Sequence, residues 1–565
     1  MAPSAAFFSD ASHFTIQGSQ FTATQTTSIQ SLAVDPALEI LHKHQALEAT
    51  HTSKTAANAA KCKPGTRAEA IKDITRWAAA RQIEAARQAE DDRRVDAACQ
   101  VEADLQVEVE PSSKSSVESV LWLRGPAGAG KTCIMREVAR ICRQEGVLAG
   151  DYFFSTRVPG LDDEAPFVAT IVSHLITVIP ALDNPIRETI RCNPTIFKQA
   201  LDLQVEELIS NHTAIIPPQT PRILVVDGFD ECRDQSQRKH LLDLLHSLVT
   251  PPHFFRVVMA SRPEYDIRTA FDQPPLESMT KILHLEKYEA SGEIYEFLSE
   301  GFARIRKTHP ARESIPAEWP GQATLHALTD KSSGIFAYPS TVIKYIDNPR
   351  HHPVDLLDHV LKPPPAVSSG HPFTELDALY EIILNPPDTD IPRMKRILHL
   401  IMMIPRLLGT VPAGSSPSHR SKFSFMPDFI DPYQMTNTLL SAPQLDGFLS
   451  LRRGTTEMTL CDLHSVLSVT EPIPPSPCFH NEGYETMYSP GRGPWIYFHH
   501  KTLEDYLCSP QRAGNLYQAQ DDTCSDILAV CVHNMELWDR ESRSGYVDYR
   551  KKIVKITLIF SGPGF

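Results

Sequence analysis

The run Gly125-Pro-Ala-Gly-Ala-Gly-Lys-Thr132 combines residue types and spacing that suit one kind of chemistry, the wrapping of a polyphosphate by backbone N–H groups. Gly125, Gly128 and Gly130 permit close approach of the main chain to phosphate oxygens. Lys131 brings a cation to the β- and γ-phosphates, Thr132 offers a hydroxyl to Mg2+, and a helix opening with Cys133 and Ile134 points its positive end at the ligand. Gly125, Pro126, Ala127, Gly128, Ala129, Gly130, Lys131, Thr132 and Cys133 are therefore the expected nucleotide-binding set. An accidental glycine-rich turn is the competing explanation. Against it, an apolar strand precedes the motif and a helix follows, which is the context the chemistry needs.

A magnesium-bound phosphate needs a carboxylate at the end of a neighbouring buried strand, and Arg222-Ile-Leu-Val-Val-Asp227 supplies one. Asp227 and Thr132 are the expected metal-side residues. Gly228 then separates Asp227 from Asp230 and Glu231, which read either as the acids that polarise an attacking water or as a solvated turn capping the helix that starts near Gln235. A further apolar run, Phe254 to Ala260, ends in Ser261-Arg262. Arg262 reads as a γ-phosphate sensor or as a plain surface ion pair. With Lys131, Asp230, Glu231 and Arg262 in place, the chemistry would be weak, Mg2+-assisted hydrolysis of ATP to ADP.

These motifs require alternating strands and helices, and residues 118–310 show that alternation, predicting an α/β, doubly wound parallel sheet of the P-loop NTPase type. Residues 7–24, within a strand-prone leader over 1–27, alternate apolar and polar side chains around Gly18; the leader either templates strand addition by a partner protein or folds only locally. Residues 28–80 read as a helical linker entering the core, and 81–117 as a charged, Ala-rich insertion that is helical or disordered. The remaining chain is mainly helical, with Pro/Ser-rich loops at 409–422 and 471–494. Pro339, inside an otherwise helical run, is expected to kink its helix.

The 565 residues suffice for about three to four domains. A net charge of -14, with no basic cluster interleaved with aromatics, argues against a nucleic-acid partner. Eleven scattered cysteines without a C-x-x-C pair indicate neither zinc nor a disulfide framework, and a cytoplasmic setting is expected. The N-terminus lacks a secretory signal, and the longest apolar stretch, near Ile397 to Leu408, is too short and interrupted for a membrane span.

In this order GPAGAGKT, ILVVDGFDEC and VVMASRPE resemble the NACHT-type signal-transduction ATPases, most closely fungal proteins with a nephrocystin-like NACHT module. The acidic pair displaced by Gly228 carries much of that resemblance, which spans most of residues 62 to 520. It implies a NACHT core over 118–310, a small helical domain over 311–390, a winged-helix domain over 391–520 and a C-terminal tail over 521–565. It further implies that Thr66 and Arg67 lie near the adenine end, although Thr-Arg before a helix is also an ordinary cap. Phe498-His-His500-Lys-Thr-Leu-Glu-Asp-Tyr-Leu507 resembles the winged-helix stretch whose histidine touches the β-phosphate of ADP, and His500 holds that position. A helix-start histidine that caps or packs is the alternative.

The resemblance implies a switch that ADP closes and ATP opens for self-assembly in fungal signalling, non-self recognition or programmed cell death. A binding-only scaffold signalling through its N-terminal segment is the alternative from another class. A guanine switch lacks an N-K-x-D element, and a small-molecule kinase lacks an acceptor site or lid.

Overall fold

A computed structural model of the chain describes residues 35–53, 65–79, 118–158, 160–215, 222–250, 255–362, 373–385, 389–409, 440–469 and 496–542. The expected leader at 1–27, the insertion at 81–117 and most of the two Pro/Ser-rich loops lie outside these residues.

Five parallel strands form the central sheet: β1 (Val120–Arg124), β2 (Leu148–Phe153), β3 (Arg222–Asp227), β4 (Phe255–Ser261) and β5 (Thr280–His284), in the spatial order β2-β3-β4-β1-β5. The central strands read as near-continuous apolar runs because both of their faces are covered. On one face Leu121, Leu123, Ile223, Val225 and Val258 pack with Ile134 and Val138 of the helix after the glycine-rich loop and with Ile74 and Trp77; on the other, Trp122, Leu224, Val226, Val257 and Met259 meet Phe167, Leu241 and Leu245. The period-two alternation of a strand is thus hidden in the composition and recovered in the packing.

Of the three helices nearest the loop in sequence, the first packs with the second face through Ala37 and Leu41, and the other two cover the first face. Helix α1 (Pro36–His44) is capped by Asp35, and the segment after it reaches the edge strand, where His51 Nδ1 lies 2.8 Å from Asp151 Oδ2. Helix α2 (68–79) follows Thr66 and Arg67, and Arg256 of β4 holds it by stacking 3.6 Å from the Trp77 ring centroid while donating to the Trp77 carbonyl. Helix α3 (Lys131–Gln144) starts directly at the end of the glycine-rich loop.

The C-terminal part is helical around one continuous core that runs from Ala290 to Cys531. It includes α4 (Ser291–Thr308), α5 (Gln322–Ser332), α6 (Ala337–Ile346), α7 (Thr374–Leu384), α8 (Ile391–Gly409), α9 (Lys501–Leu507) and α10 (Gln520–Ser542). A small antiparallel pair, β6 (Leu467–Val469) with β7 (Ile496–Phe498), precedes α9. Pro339 does not kink a helix: α5 ends at Ser332, Gly334 turns the chain at φ +75°, and Pro339 is the third residue of α6. In a first turn the missing N–H has no intrahelical partner to lose. Among the described residues no helix is long and apolar enough to cross a membrane.

Candidate functional site

The glycine-rich loop lies at the carboxyl end of β1, where the crossover through α3 leaves β4 and β3 between β1 and β2. Ligands of open parallel sheets bind at such a switch point. Gly128 and Gly130 adopt φ of +73° and +94°. A Cβ on Gly128 would come 2.7 Å from Ala337 Cβ and 3.2 Å from Thr502 Cγ2, so the C-terminal part rests directly on the loop. The Ala337 amide also donates to the Gly128 carbonyl at 3.1 Å.

Lys131 folds back over this loop, its Nζ donating to the carbonyls of Gly125 (2.8 Å) and Pro126 (2.9 Å). Burial pulls its pKa down against the opposing pull of Asp230 and Asp227. A buried ammonium whose hydrogen bonds go to neutral carbonyls is poised to take an anion.

Asp227 ends β3, one strand removed from β1 rather than beside it, because β4 intervenes. Burial pushes its carboxyl up to about 6, against the Thr132 hydroxyl bonded to it and the charge of Lys131. Its Oδ1 is sealed from solvent without a hydrogen-bond partner among the described residues. A buried, unsatisfied carboxylate oxygen beside a hydroxyl and a phosphate loop fits Mg2+, which prefers one or two carboxylates plus phosphate oxygens. Thr132 and Asp227 are the residues that would hold it.

Gly228 sits at φ +66°, where a Cβ would lie 2.7 Å from the Phe154 carbonyl oxygen. This left-handed step turns the chain into Phe229–Glu231, with Phe229 buried edge-on to Phe154 as its anchor. The helix that follows (Gln235–Val249) is capped by Asp234, whose Oδ1 accepts from the Gln237 amide at 2.9 Å. Asp230 and Glu231 point elsewhere. Asp230 accepts from the Arg262 amide (3.0 Å) and pairs with Arg262 Nε (3.1 Å). Glu231 Oε2 accepts from the Thr156 amide at 2.9 Å and lies 3.8 Å from Lys501 Nζ, which itself donates to Thr156 Oγ1. Burial raises the Glu231 pKa, yet Lys501, Arg157 and the Thr156 amide outweigh it and draw it down to about 2.

Arg262, just beyond β4, reaches a second carboxylate, Asp505 Oδ2 of α9, at 2.9 Å. Arg157, on the loop after β2, donates to the Phe498 and His499 carbonyls at 3.4 Å. His500 is the residue before α9, and its Nε2 is buried with no partner among the described residues. Burial, reinforced by Lys344, His499 and Arg157, holds the His500 pKa down at about 3. Lys344 on α6 is itself lowered to about 8 by burial.

Thr66 and Arg67 stand on the α2 side of the loop. The Arg67 guanidinium donates to the carbonyls of Ala129 and Gly334, each at 3.0 Å, and stacks 5.0 Å from the Phe336 ring centroid. Its amide donates to Glu293. It therefore ties α2 to the phosphate loop and to the start of α6.

The structure thus gathers Lys131, Thr132, Asp227, Asp230, Glu231 and Arg262 at one edge of the sheet, with His500 on the helical part facing it. Sequence reasoning missed Thr156, Arg157, Lys501 and Asp505. The first two follow the β2 strand at its carboxyl end, which is a readable signal. The latter two form an i, i+4 pair of opposite charge on α9, where Leu503, Tyr506 and Leu507 are buried.

Residues 107–262 match the family model of the nephrocystin 3 N-terminal region. None of the curated proteins matches the chain. Among solved structures, the chain is similar to the ORC2 protein of Aeropyrum pernix in ADPNP-ADP complexes, with 14% identity and a TM-score of 0.25 over 63% of this chain and 82% of that one. It is also similar to Drosophila ORC bound to GC-rich DNA and Cdc6, with 13% identity and a TM-score of 0.22 over 70% of this chain and 59% of that one. The parallel order, the glycine-rich loop and the family match make the sheet part of this chain a P-loop NTPase fold with a helical C-terminal part.

Proposed function

We propose that the chain is a NACHT-type, nucleotide-dependent switch that binds ATP or ADP with Mg2+ and turns ATP over slowly. The observation that carries this reading is the docking of the helical part on the phosphate loop, through Ala337 N to Gly128 O and through Thr502 against Gly128. A switch couples a ligand site to a second body whose contacts differ between its states, and the helical part makes such contacts at the phosphate loop. In this reading Lys131 and the loop amides bind the phosphates, Thr132 and Asp227 hold the metal, and His500 faces the β-phosphate. Mg2+ would supply charge neutralisation at the phosphates. Exchange of ADP for ATP opens the chain and exposes surfaces for self-assembly, in the manner of fungal intracellular signalling proteins of non-self recognition or programmed cell death.

A second reading, a nucleotide-bound scaffold that does not hydrolyse, is favoured by one observation. Both Asp230 and Glu231 are already engaged by Arg262, Thr156 and Lys501. Denaturing the purified protein and identifying the released nucleotide by chromatography tests the shared core of both readings. Tightly held ADP in the parent and none in Lys131→Ala is the expected outcome; an empty parent that also fails to bind ATP with Mg2+ would sink it. Glu231→Gln separates the two, since it traps ATP in a hydrolysing switch and changes nothing in a scaffold.

A further inference from the structure

Helix α9 meets the carboxyl edge of the sheet with two side chains of opposite sign, one turn apart. Lys501 faces the acid, Glu231, and Asp505 faces the base, Arg262. The match extends beyond a single ion pair. Thr502 between them is buried against the loop glycine and hydrogen-bonds Tyr380 of α7 at 2.7 Å. Glu504 is buried and pairs with Arg406 of α8 at 2.9 Å, and its Oε2 also lies 3.4 Å from Lys501 Nζ, so Lys501 is divided between Glu504 on its own helix and Glu231 on the sheet, whereas Asp505 reaches across to Arg262.

Arg262 is shared. Its Nε lies 3.1 Å from Asp230, which belongs to the same sheet edge, and its Nη1 lies 2.9 Å from Asp505, which belongs to the helical part. A guanidinium has donors enough for two carboxylates, but a third anion at the same head group must displace one of them or suffer like-charge repulsion. The extra phosphate that distinguishes a nucleoside triphosphate from a diphosphate is such an anion.

We propose that Asp505 sets the nucleotide preference of this chain: by occupying Arg262 it lets a nucleoside diphosphate bind with α9 docked, and it admits a triphosphate only when α9 is displaced. The inference rests on the nucleotide reading above and adds to it the residue that discriminates between the two ligands. Asp505 is a specificity-determining group that acts through Arg262. Displacement of Asp505 also withdraws Lys501 from Glu231, because both ride on the seven-residue helix α9. Recognition of the terminal phosphate and release of the acid are then one movement.

The test is equilibrium binding of fluorescent ADP and of a fluorescent, non-hydrolysable ATP analogue, each with Mg2+, to the full chain and to Asp505→Asn and Asp505→Glu. Asp505→Asn is expected to raise triphosphate affinity relative to diphosphate by about tenfold, within the usual span of coupling between sites. Asp505→Glu, which keeps the charge, is expected to stay near the parent ratio. An unchanged ratio in Asp505→Asn, or equal losses for both ligands, overturns the proposal. Hydrogen exchange on the unsubstituted chain provides a readout that needs no variant. Amides of 501–507 should exchange faster with the triphosphate analogue than with ADP, and equal protection overturns the proposal. If the parent binds neither ligand, the nucleotide reading itself falls and this inference with it; if it binds both and only the ratio fails to move, this inference alone falls.

Discussion

Asp227 shows how burial alone gives a residue two chemical roles. Its carboxyl is pushed up to about 6 by burial, from an ordinary value of 3.8, although Thr132 and Lys131 favour the charged form. The sign of the consequence follows from proton counting. Between those two values the folded, ligand-free chain keeps a proton that the unfolded chain gives up, so the contribution of Asp227 to stability falls as pH rises through that window. Metal binding runs the other way, because only the carboxylate takes a cation. Nucleotide affinity measured with Mg2+ should therefore weaken as pH falls through about 6, while affinity measured with a chelator should not show that step. Asp227→Asn should remove the difference between the two curves. Identical pH profiles with and without Mg2+ in the parent would exclude Asp227 as the metal-side group.

At the scale of elements, β7 and α9 carry His499 and His500 to the contact with the sheet edge, and protonation of these imidazoles is expected to weaken that docking. Burial pulls both below their ordinary range, to about 3 and about 4, and the cations facing them, Lys344 and Arg157, add to the pull. A histidine whose folded pKa is depressed stays neutral in the folded chain while the unfolded chain takes up a proton below about 6.5. Stability present at neutral pH is lost progressively as pH drops below that value. The nucleotide-free chain should melt at a lower temperature at pH 5.5 than at pH 7.5, and His500→Gln should shrink that difference. If His500→Gln and the parent lose the same number of degrees, the imidazole is not what couples docking to pH. The same elements show what was legible beforehand. The apolar runs of β1, β3 and β4 announced themselves because both faces of a parallel sheet are covered, and the glycine-rich loop because phosphate wrapping leaves few residue choices. The insertion of β4 between β1 and β3 was not legible, since strand order is decided by how the crossovers pack. Neither was the pairing of Arg262 with Asp505, which are separated by more than two hundred residues and stand on parts of the chain with different hydrophobic cores. Pro339 misled because local periodicity continues across Gly334, while the actual break lies in the positive φ of Ser333 and Gly334.

The described residues form two bodies joined where their functional groups meet: a sheet with a core on each face, and a helical part with a separate core running from Ala290 to Cys531. Neither body supplies all the groups at the phosphate site. The sheet brings Lys131, Thr132, Asp227 and Arg262, and the helical part brings His500, Lys501 and Asp505, with Arg67 clamping the loop to Gly334 from the side. A ligand that binds such a composite site stabilises the two bodies as one, whereas a ligand confined to the sheet would leave the helical part unchanged. ADP with Mg2+ at a hundred times its Kd should raise overall stability by about 2.7 kcal/mol. It should slow hydrogen exchange in α9 and at the start of α6 as well as in residues 125–132, and Lys131→Ala should abolish all three effects together. Protection confined to residues 120–262 would show that the helical part does not sense the nucleotide, and the docking of Thr502 and Ala337 on Gly128 would then be packing without coupling.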